Sequence, residues 1–201
     1  MQQDSGRNNY KYFKIKDAFT PKEIKKILQS AGKLPFKKGT ISHHPDEDNR
    51  YRKSNVKWLK DSWLINKINK IVTRANETCN WNYEFHRAEP IQYTEYQQQG
   101  HYDWHQDCHT QANTINDTKS LNHIGLMRKL SVTVQLSDEK DYKGGDFEIS
   151  WQYAHNIHTI TLEKSAGTVV VFPSFLWHRV TPVTTGCRKS LVQWYLGEPF
   201  K

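Results

Sequence analysis

Residues Arg128 to Ser137 alternate without a break, with Leu130, Val132, Val134 and Leu136 on one side and Ser131, Thr133 and Gln135 on the other. Successive side chains of a strand point to opposite faces, so one face packs and the other lines something polar. The same texture runs from Trp81 to the C-terminal end. Trp81-Asn-Tyr-Glu-Phe alternates, and strand-like runs follow at Pro90 to Tyr96, Tyr102 to Asp107, Phe147 to Tyr153 and Arg188 to Leu196. Gly167 to Pro173 reads as a buried strand ended by proline, and Asp141 to Asp146 as a turn.

The first 80 residues have a different character. Tyr10 to Lys16 alternates aromatic or apolar with basic residues and predicts a first strand. Thr20-Pro21-Lys22-Glu23 carries a helix-start signature of capping hydroxyl, proline and capping-box glutamate; Ile24, Ile27 and Leu28 recur at helical spacing, and Gly32 is a stop. A second helix is predicted from Asp61 or Ser62, with Trp63, Leu64, Ile68, Ile71, Val72 and Ala75 as its apolar stripe. Between the helices, Lys37 to Asn55 reads as a long charged loop containing His43-His44-Pro45-Asp46-Glu47-Asp48, either solvated surface or a substrate-facing flap. The polar segment from Thr110 to Met127 is a candidate lid.

Length and composition fit one domain: 201 residues, 36% hydrophobic and 12% aromatic, with no apolar run near the roughly 18 residues of a membrane span. Residues 1–80 read as helical support with a flexible loop, and 81–201 as a β core. Met1 to Asn9 is polar and lacks the apolar region of a secretory signal, so the expected compartment is cytoplasmic. Cys79, Cys108 and Cys187 are odd in number and lack CxxC spacing, which argues for reduced thiols over a disulfide framework or a thiolate zinc site. Cys108, beside Asp107, and Cys187, beside Arg188, would be oxidation targets if the site handles oxygen. A net charge of +8 favours polyanions at long range, but a dispersed solvated basic surface is the better reading of it.

Chemistry concentrates in a few residues. His105 and Asp107 stand two apart in an aromatic run, where strand alternation aims both at one face. Together they offer two ligands of a facial 2-His-1-carboxylate site, the arrangement that leaves positions open on non-haem Fe(II). His109 would share that face, but three ligands along one straight strand spread over about 13 Å, too far for bonds of about 2 Å to one ion. His178, in Pro173-Ser-Phe-Leu-Trp-His-Arg-Val, is the better third ligand, and a jelly roll would bring it across one barrel interior. Arg188 opens a strand on which Arg188, Ser190 and Trp194 share a face; an inward guanidinium is costly unless it meets an anion, and its fork suits a carboxylate. His86, His101, His123, His155 and His158 show no ligand spacing.

At these residues the chain resembles the 2-oxoglutarate and Fe(II)-dependent oxygenases, specifically the prolyl-4-hydroxylase-like branch that includes the PKHD-type hydroxylases. The resemblance covers roughly residues 83 to 197. It rests on His105-x-Asp107, His178 and Arg188 in the family's order, on Tyr96 nine residues before His105, and on Tyr102-Asp-Trp-His, Gly144-Gly145, Phe172-Pro-Ser and Arg188-Lys-Ser190. It implies a double-stranded β-helix in which His105, Asp107 and His178 hold Fe(II), Arg188 holds the far carboxylate of 2-oxoglutarate, and Tyr96, Gln135 and Ser190 help bind that cosubstrate. Trp194 would line the pocket. Gln135 departs from the pattern, since many relatives place a tyrosine there.

The implied activity is O2-dependent hydroxylation, with decarboxylation of 2-oxoglutarate to succinate and ascorbate as a supporting reductant. A protein or peptide side chain, prolyl first, is the implied substrate. The alternatives are a nucleic-acid substrate, encouraged by the net charge and by Arg50, Arg52, Lys53 and Lys57, and a non-catalytic jelly-roll binding module. The sequence leaves oligomeric state open.

Overall fold

Two helices announce themselves and form where expected. The computed structural model describes residues 11–40, 50–108, 111–116, 118, 120–151 and 159–200. Helix α1 spans Pro21–Gly32, and its capping box is complete: Thr20 Oγ1 accepts from the Glu23 backbone while the Glu23 carboxylate accepts from the Thr20 backbone. Helix α2 spans Ser62–Thr78 and buries Leu64, Ile68, Val72 and Ala75, leaving Trp63 and Ile71 at the flank of the same core.

The strands are β1 (Phe13–Ile15), β2 (Lys37–Lys38), β3 (Arg52–Lys53), β4 (Asn55–Leu59), β5 (Arg87–Ala88), β6 (Ile91–Tyr96), β7 (His101–His105), β8 (Met127–Gln135), β9 (Tyr142–Gly144), β10 (Phe147–Ser150), β11 (Thr159–Thr161), β12 (Val169–Pro173), β13 (Trp177–Val180), β14 (Val183–Gly186) and β15 (Arg188–Gly197). An eight-stranded sheet has the order β1-β12-β8-β15-β6-β4-β2, with β5 also paired to β15. A five-stranded sheet, β11-β10-β13-β7-β3, faces it, and β14 pairs with β9. Adjacent strands run antiparallel throughout the described pairings, for example β8 with β12 and β15, and β13 with β7 and β10. This is a mostly β double-stranded β-helix backed by two helices.

Alternation divides the large sheet between two environments. Leu130, Val132, Val134 and Leu136 of the β8 region join Val169, Val171, Ile91 and Leu191 in one core with Leu64, Ile68 and Val72 of α2. Ser131, Thr133 and Gln135 point the other way, into the space between the sheets, where Phe172 and Val170 form a smaller cluster with Ile149.

Several expectations change. Trp81 to Phe85 is not a strand. The Asn76 side chain donates to Tyr83 O and accepts from Tyr83 N, doing for that backbone what a neighbouring strand would do, and Asn80 and Asn82 adopt positive φ. The alternating aromatics serve packing: Trp81 stacks on Tyr83 and Phe85 meets Tyr195 edge-on. The segment read as a charged loop contributes β2, β3 and the start of β4; its His43 to Asp48 run lies outside the described residues. The anticipated first strand shortens to β1, with Tyr10 outside the described residues, and the strand expected to reach Tyr153 ends at Ser150, with Tyr153 likewise outside them. Within the candidate lid, residues 110, 117 and 119 fall outside the description, and Leu121–His123 forms a 3-10 turn.

Because Leu64 is fully buried between α2 and the large sheet, Leu64→Ala is expected to lower unfolding free energy by about 2–5 kcal/mol. Thr20→Ala, which removes only the helix cap, should cost about 1 kcal/mol. Equilibrium denaturant titration of the two variants checks the ordering.

Candidate metal centre and cavity

The two histidines meet because β7 and β13 are neighbours, with His178 directly opposite His105 in the ladder. Cross-strand partners on one face have side chains within reach of each other, and here the ring centroids stand 4.1 Å apart. Asp107 arrives differently from the expectation. His105 is the last residue of β7, and beyond it the chain turns away because the backbone N–H groups of Asp107 and Cys108 both donate to Ser174 O. That turn brings the carboxylate back: Asp107 Oδ1 is 3.8 Å from His105 Nε2 and Oδ2 is 3.3 Å from His178 Nε2. One donor atom from each of the three residues lies within 4.8 Å of the others, the geometry of a group that can hold a metal ion.

The donor set fits such an ion in its protonation as well. His105 Nδ1 lies 2.7 Å from Asp103 O and His178 Nδ1 2.9 Å from Leu176 O. A carbonyl only accepts, so each Nδ1 carries a proton, and each Nε2 is the ring nitrogen left to ligate a metal. Ser131 Oγ donates to Asp107 Oδ2 at 2.7 Å and is itself 2.9 Å from Ser174 Oγ. Two imidazoles and one carboxylate with open positions are the donor set of non-haem Fe(II).

Electrostatics keep the Asp107 carboxylate charged and disfavour the charged form of His105. Burial alone would raise the Asp107 carboxyl, but His178 by charge and hydrogen bond, then His105 and Arg128, hold it far below the usual carboxylate range. Burial, reinforced by the His178 charge, holds the His105 imidazole well below its ordinary value. Tyr102 stacks on His105 with centroids 3.5 Å apart, and burial pushes its hydroxyl up to about 12.

A cavity of about 180 Å³ opens onto these groups, lined among others by Tyr96, Arg188, Ser190 and Trp194. Arg188 is 3% exposed, and no carboxylate of the described residues pairs with it. Its Nη1 donates to Ser190 Oγ at 3.2 Å, and its guanidinium lies 5.4 Å from the Tyr96 ring. Gln135 does not line the cavity. Its amide donates to Tyr142 Oη at 2.8 Å and to Ser137 O, and Tyr142 in turn stands beside Arg188, so the expected contact is displaced by one side chain.

Two cavity residues escaped the sequence reading. Arg128 forks onto Glu89 at 2.6 and 2.8 Å, lies 3.9 Å from the Trp194 ring and directs Nη1 at Asp107 O. Burial would lower its pKa, and the Glu89 charge and hydrogen bond outweigh that. Arg52, one of the basic residues that encourage a nucleic-acid substrate, is buried with its guanidinium 4.6 Å from the Tyr102 ring. Lys57, grouped with it as encouragement for nucleic acid, is spent on Ala31 O at 2.8 Å and on the Phe36 ring. His109, the local alternative ligand, lies outside the described residues, as do His155 and His158. No described helix is long and apolar enough to cross a membrane.

Comparison with known proteins places these residues in context. Residues 91–196 match the family model described as the 2OG-Fe(II) oxygenase superfamily. A PKHD-type hydroxylase from Psychrobacter sp. (strain PRwf-1) is 46% identical over 70 residues, which is 34% of this chain and 26% of that protein, so most of the relative is not covered. Among solved structures, a prolyl hydroxylase from Trichoplax adhaerens in complex with a hypoxia inducible factor peptide fragment superposes with a TM-score of 0.72 at 16% identity, covering 94% of this chain and 84% of that one. The 2OG complex of a viral collagen prolyl hydroxylase from Paramecium Bursaria Chlorella virus-1 gives 0.65 at 17% identity, covering 93% and 96%. At these identities the superpositions establish the shared fold.

Ser131→Ala removes the hydroxyl donor from the Asp107 carboxylate and is expected to weaken Mn(II) binding about 10–100-fold in a calorimetric titration. With His105 depressed in the fold, the unfolded chain takes up a proton below about pH 6.5 that the folded chain refuses. Stability of the chelator-treated protein should therefore fall as pH drops from about 6.5 toward the folded value, at up to about 1.4 kcal/mol per pH unit for this one proton. His105→Gln should flatten that part of the profile in denaturant titrations.

Proposed function

The chain belongs to the 2OG-Fe(II) oxygenase superfamily, and on that premise we propose that it is an Fe(II)- and 2-oxoglutarate-dependent oxygenase that hydroxylates a protein or peptide side chain, prolyl first. The observation that carries this reading is that the His105-Asp107-His178 group and the unpaired, buried Arg188 line one cavity. We read residues 1–201 as one domain, because α1 and α2 share a single core with the large sheet.

In this reading His105 and His178 through Nε2, and Asp107 through its carboxylate, hold Fe(II). Bound there with 2-oxoglutarate and O2, the metal supplies the chemistry: one oxygen atom enters a substrate C–H bond, and the other enters the succinate left when 2-oxoglutarate loses carbon dioxide. The chain contributes position and charge. Arg188 presents its guanidinium to the far carboxylate of the cosubstrate, aimed by Ser190 and by Tyr142, which Gln135 holds. Tyr96 flanks the same guanidinium. Asp103 O and Leu176 O keep both imidazoles in the metal-binding tautomer, and Ser131 keeps the Asp107 carboxylate turned inward. Tyr102, Phe147, Phe172 and Trp194 wall the cavity and exclude water from it.

A peptide is favoured as substrate because the superposed Trichoplax protein is a prolyl hydroxylase described with a peptide fragment. His178→Ala should reduce succinate formation from 2-oxoglutarate to background. Arg188→Gln should raise KM for 2-oxoglutarate about 10–100-fold, the equivalent of about 1.5–3 kcal/mol for a charged hydrogen bond. Mass analysis after incubation with peptide and oligonucleotide pools should find one added oxygen on peptide. An oxidised oligonucleotide beside untouched peptides would overturn the substrate class, and wild-type protein that binds iron without turning over 2-oxoglutarate would overturn the activity.

A further inference from the structure

Charge accounting in the cavity leaves one cation over. Its lining residues include three guanidiniums, Arg52, Arg128 and Arg188, and one carboxylate, Asp107. Arg128 is neutralised by Glu89 in a two-pronged pair. If the function proposed above holds, the two charges of Fe(II) and that of Arg188 balance Asp107 and the two carboxylates of 2-oxoglutarate. Arg52 then has no counter-charge among the described residues. It is 8% exposed, and its protein contacts are neutral: Nε donates to Ser54 Oγ at 2.9 Å, Nη1 donates to Thr40 O at 2.9 Å, and the guanidinium lies 4.6 Å from the Tyr102 ring. No carboxylate of the described residues pairs with it. A guanidinium so far out of water is costly without an anion.

The same cavity carries an aromatic wall that includes Trp194. Trp58, 38% exposed and 6.5 Å from Trp194 between ring centroids, extends this wall toward solvent.

We propose that Arg52 selects peptides carrying an aspartate or glutamate beside the residue to be hydroxylated, with Trp194 and Trp58 as the aromatic wall along which the peptide lies. The carboxylate meets Arg52. A nucleic-acid backbone fits less well, because phosphates are tracked by solvent-facing Lys and Arg, whereas Arg52 sits inside a cavity and reads a single anion delivered into it.

The test rests on the proposed function for its probe and is separable from it, because it measures binding without turnover. The full chain, loaded with Mn(II) and 2-oxoglutarate, is titrated against fluorescent peptides with a central proline flanked by Asp or Glu, and against matched peptides with Asn or Gln. Anisotropy should show the acidic peptides binding about tenfold more tightly. Arg52→Gln should reduce that ratio to about one, and Arg52→Lys, which keeps the charge, should keep part of it. Trp194→Phe should weaken acidic and amide peptides alike. Equal affinity for the two peptide sets, a preference that survives in Arg52→Gln with native circular dichroism, or tighter capture of a single-stranded oligonucleotide than of any acidic peptide would each overturn the proposal. Peptides that bind with the expected preference but gain no oxygen would count against the oxygenase activity and leave this recognition standing.

Discussion

Asp107 is a carboxylate 6% exposed, and the surroundings of this one anion explain much of what the rest of the fold has to do. Removing a charge from water is expensive unless partners replace the lost hydration. Here the replacements come from three separate segments: β8, with Ser131 and the Arg128 guanidinium whose field reinforces it; the turn from β12 into β13, with Ser174 and His178; and the end of β7, with His105. All but His105 are distant in the chain from Asp107. The site therefore exists only when both sheets have closed on each other, which ties the chemistry to completion of the β-helix.

The same cavity organises its cations by how each is answered. Arg128 has an internal answer in Glu89, and so acts as part of the wall, holding the Trp194 face and the Asp107 backbone. Arg188 and Arg52 have neutral partners only. Arg188 sits on the central strand of the large sheet and Arg52 on an edge strand of the small one, so the two charges without a carboxylate partner among the described residues belong to opposite layers. Tyr102 links Arg52 to His105: its ring stacks on His105 and lies 4.6 Å from the Arg52 guanidinium.

Sequence reading went furthest where chemistry depends on residue type at short spacing. Both helices, the alternation of β8 and the His105, Asp107, His178 and Arg188 constellation could be read because capping residues, period and ligand type are local marks. It fell short where a distant group decides the outcome. Trp81 to Phe85 alternates like a strand, yet its backbone partner is the amide of Asn76. Asp107 was expected to continue β7, but Ser174 O draws the backbone out of the ladder. Gln135 faces inward as expected and is intercepted by Tyr142. Arg52 lay within a run so rich in charge that only its pairing with Tyr102 in the β3–β7 ladder distinguishes it from solvated neighbours.

One feature of the large sheet bears on selectivity in a further way. Strand β15 pairs with β8 on one side and β6 on the other, and it carries Arg188, Ser190, Val192 and Trp194 in succession along the cavity. A strand held by ladders on both edges can neither stretch nor slide, and at about 3.3 Å per residue it spans about 20 Å from Arg188 to Trp194. The strand is thus a graduated rule laid along the floor of the cavity. In the proposed function a dicarboxylate seated on Arg188 has that end fixed by a doubly laddered strand, so how far its other end reaches toward β7 and β13 is set by its own length.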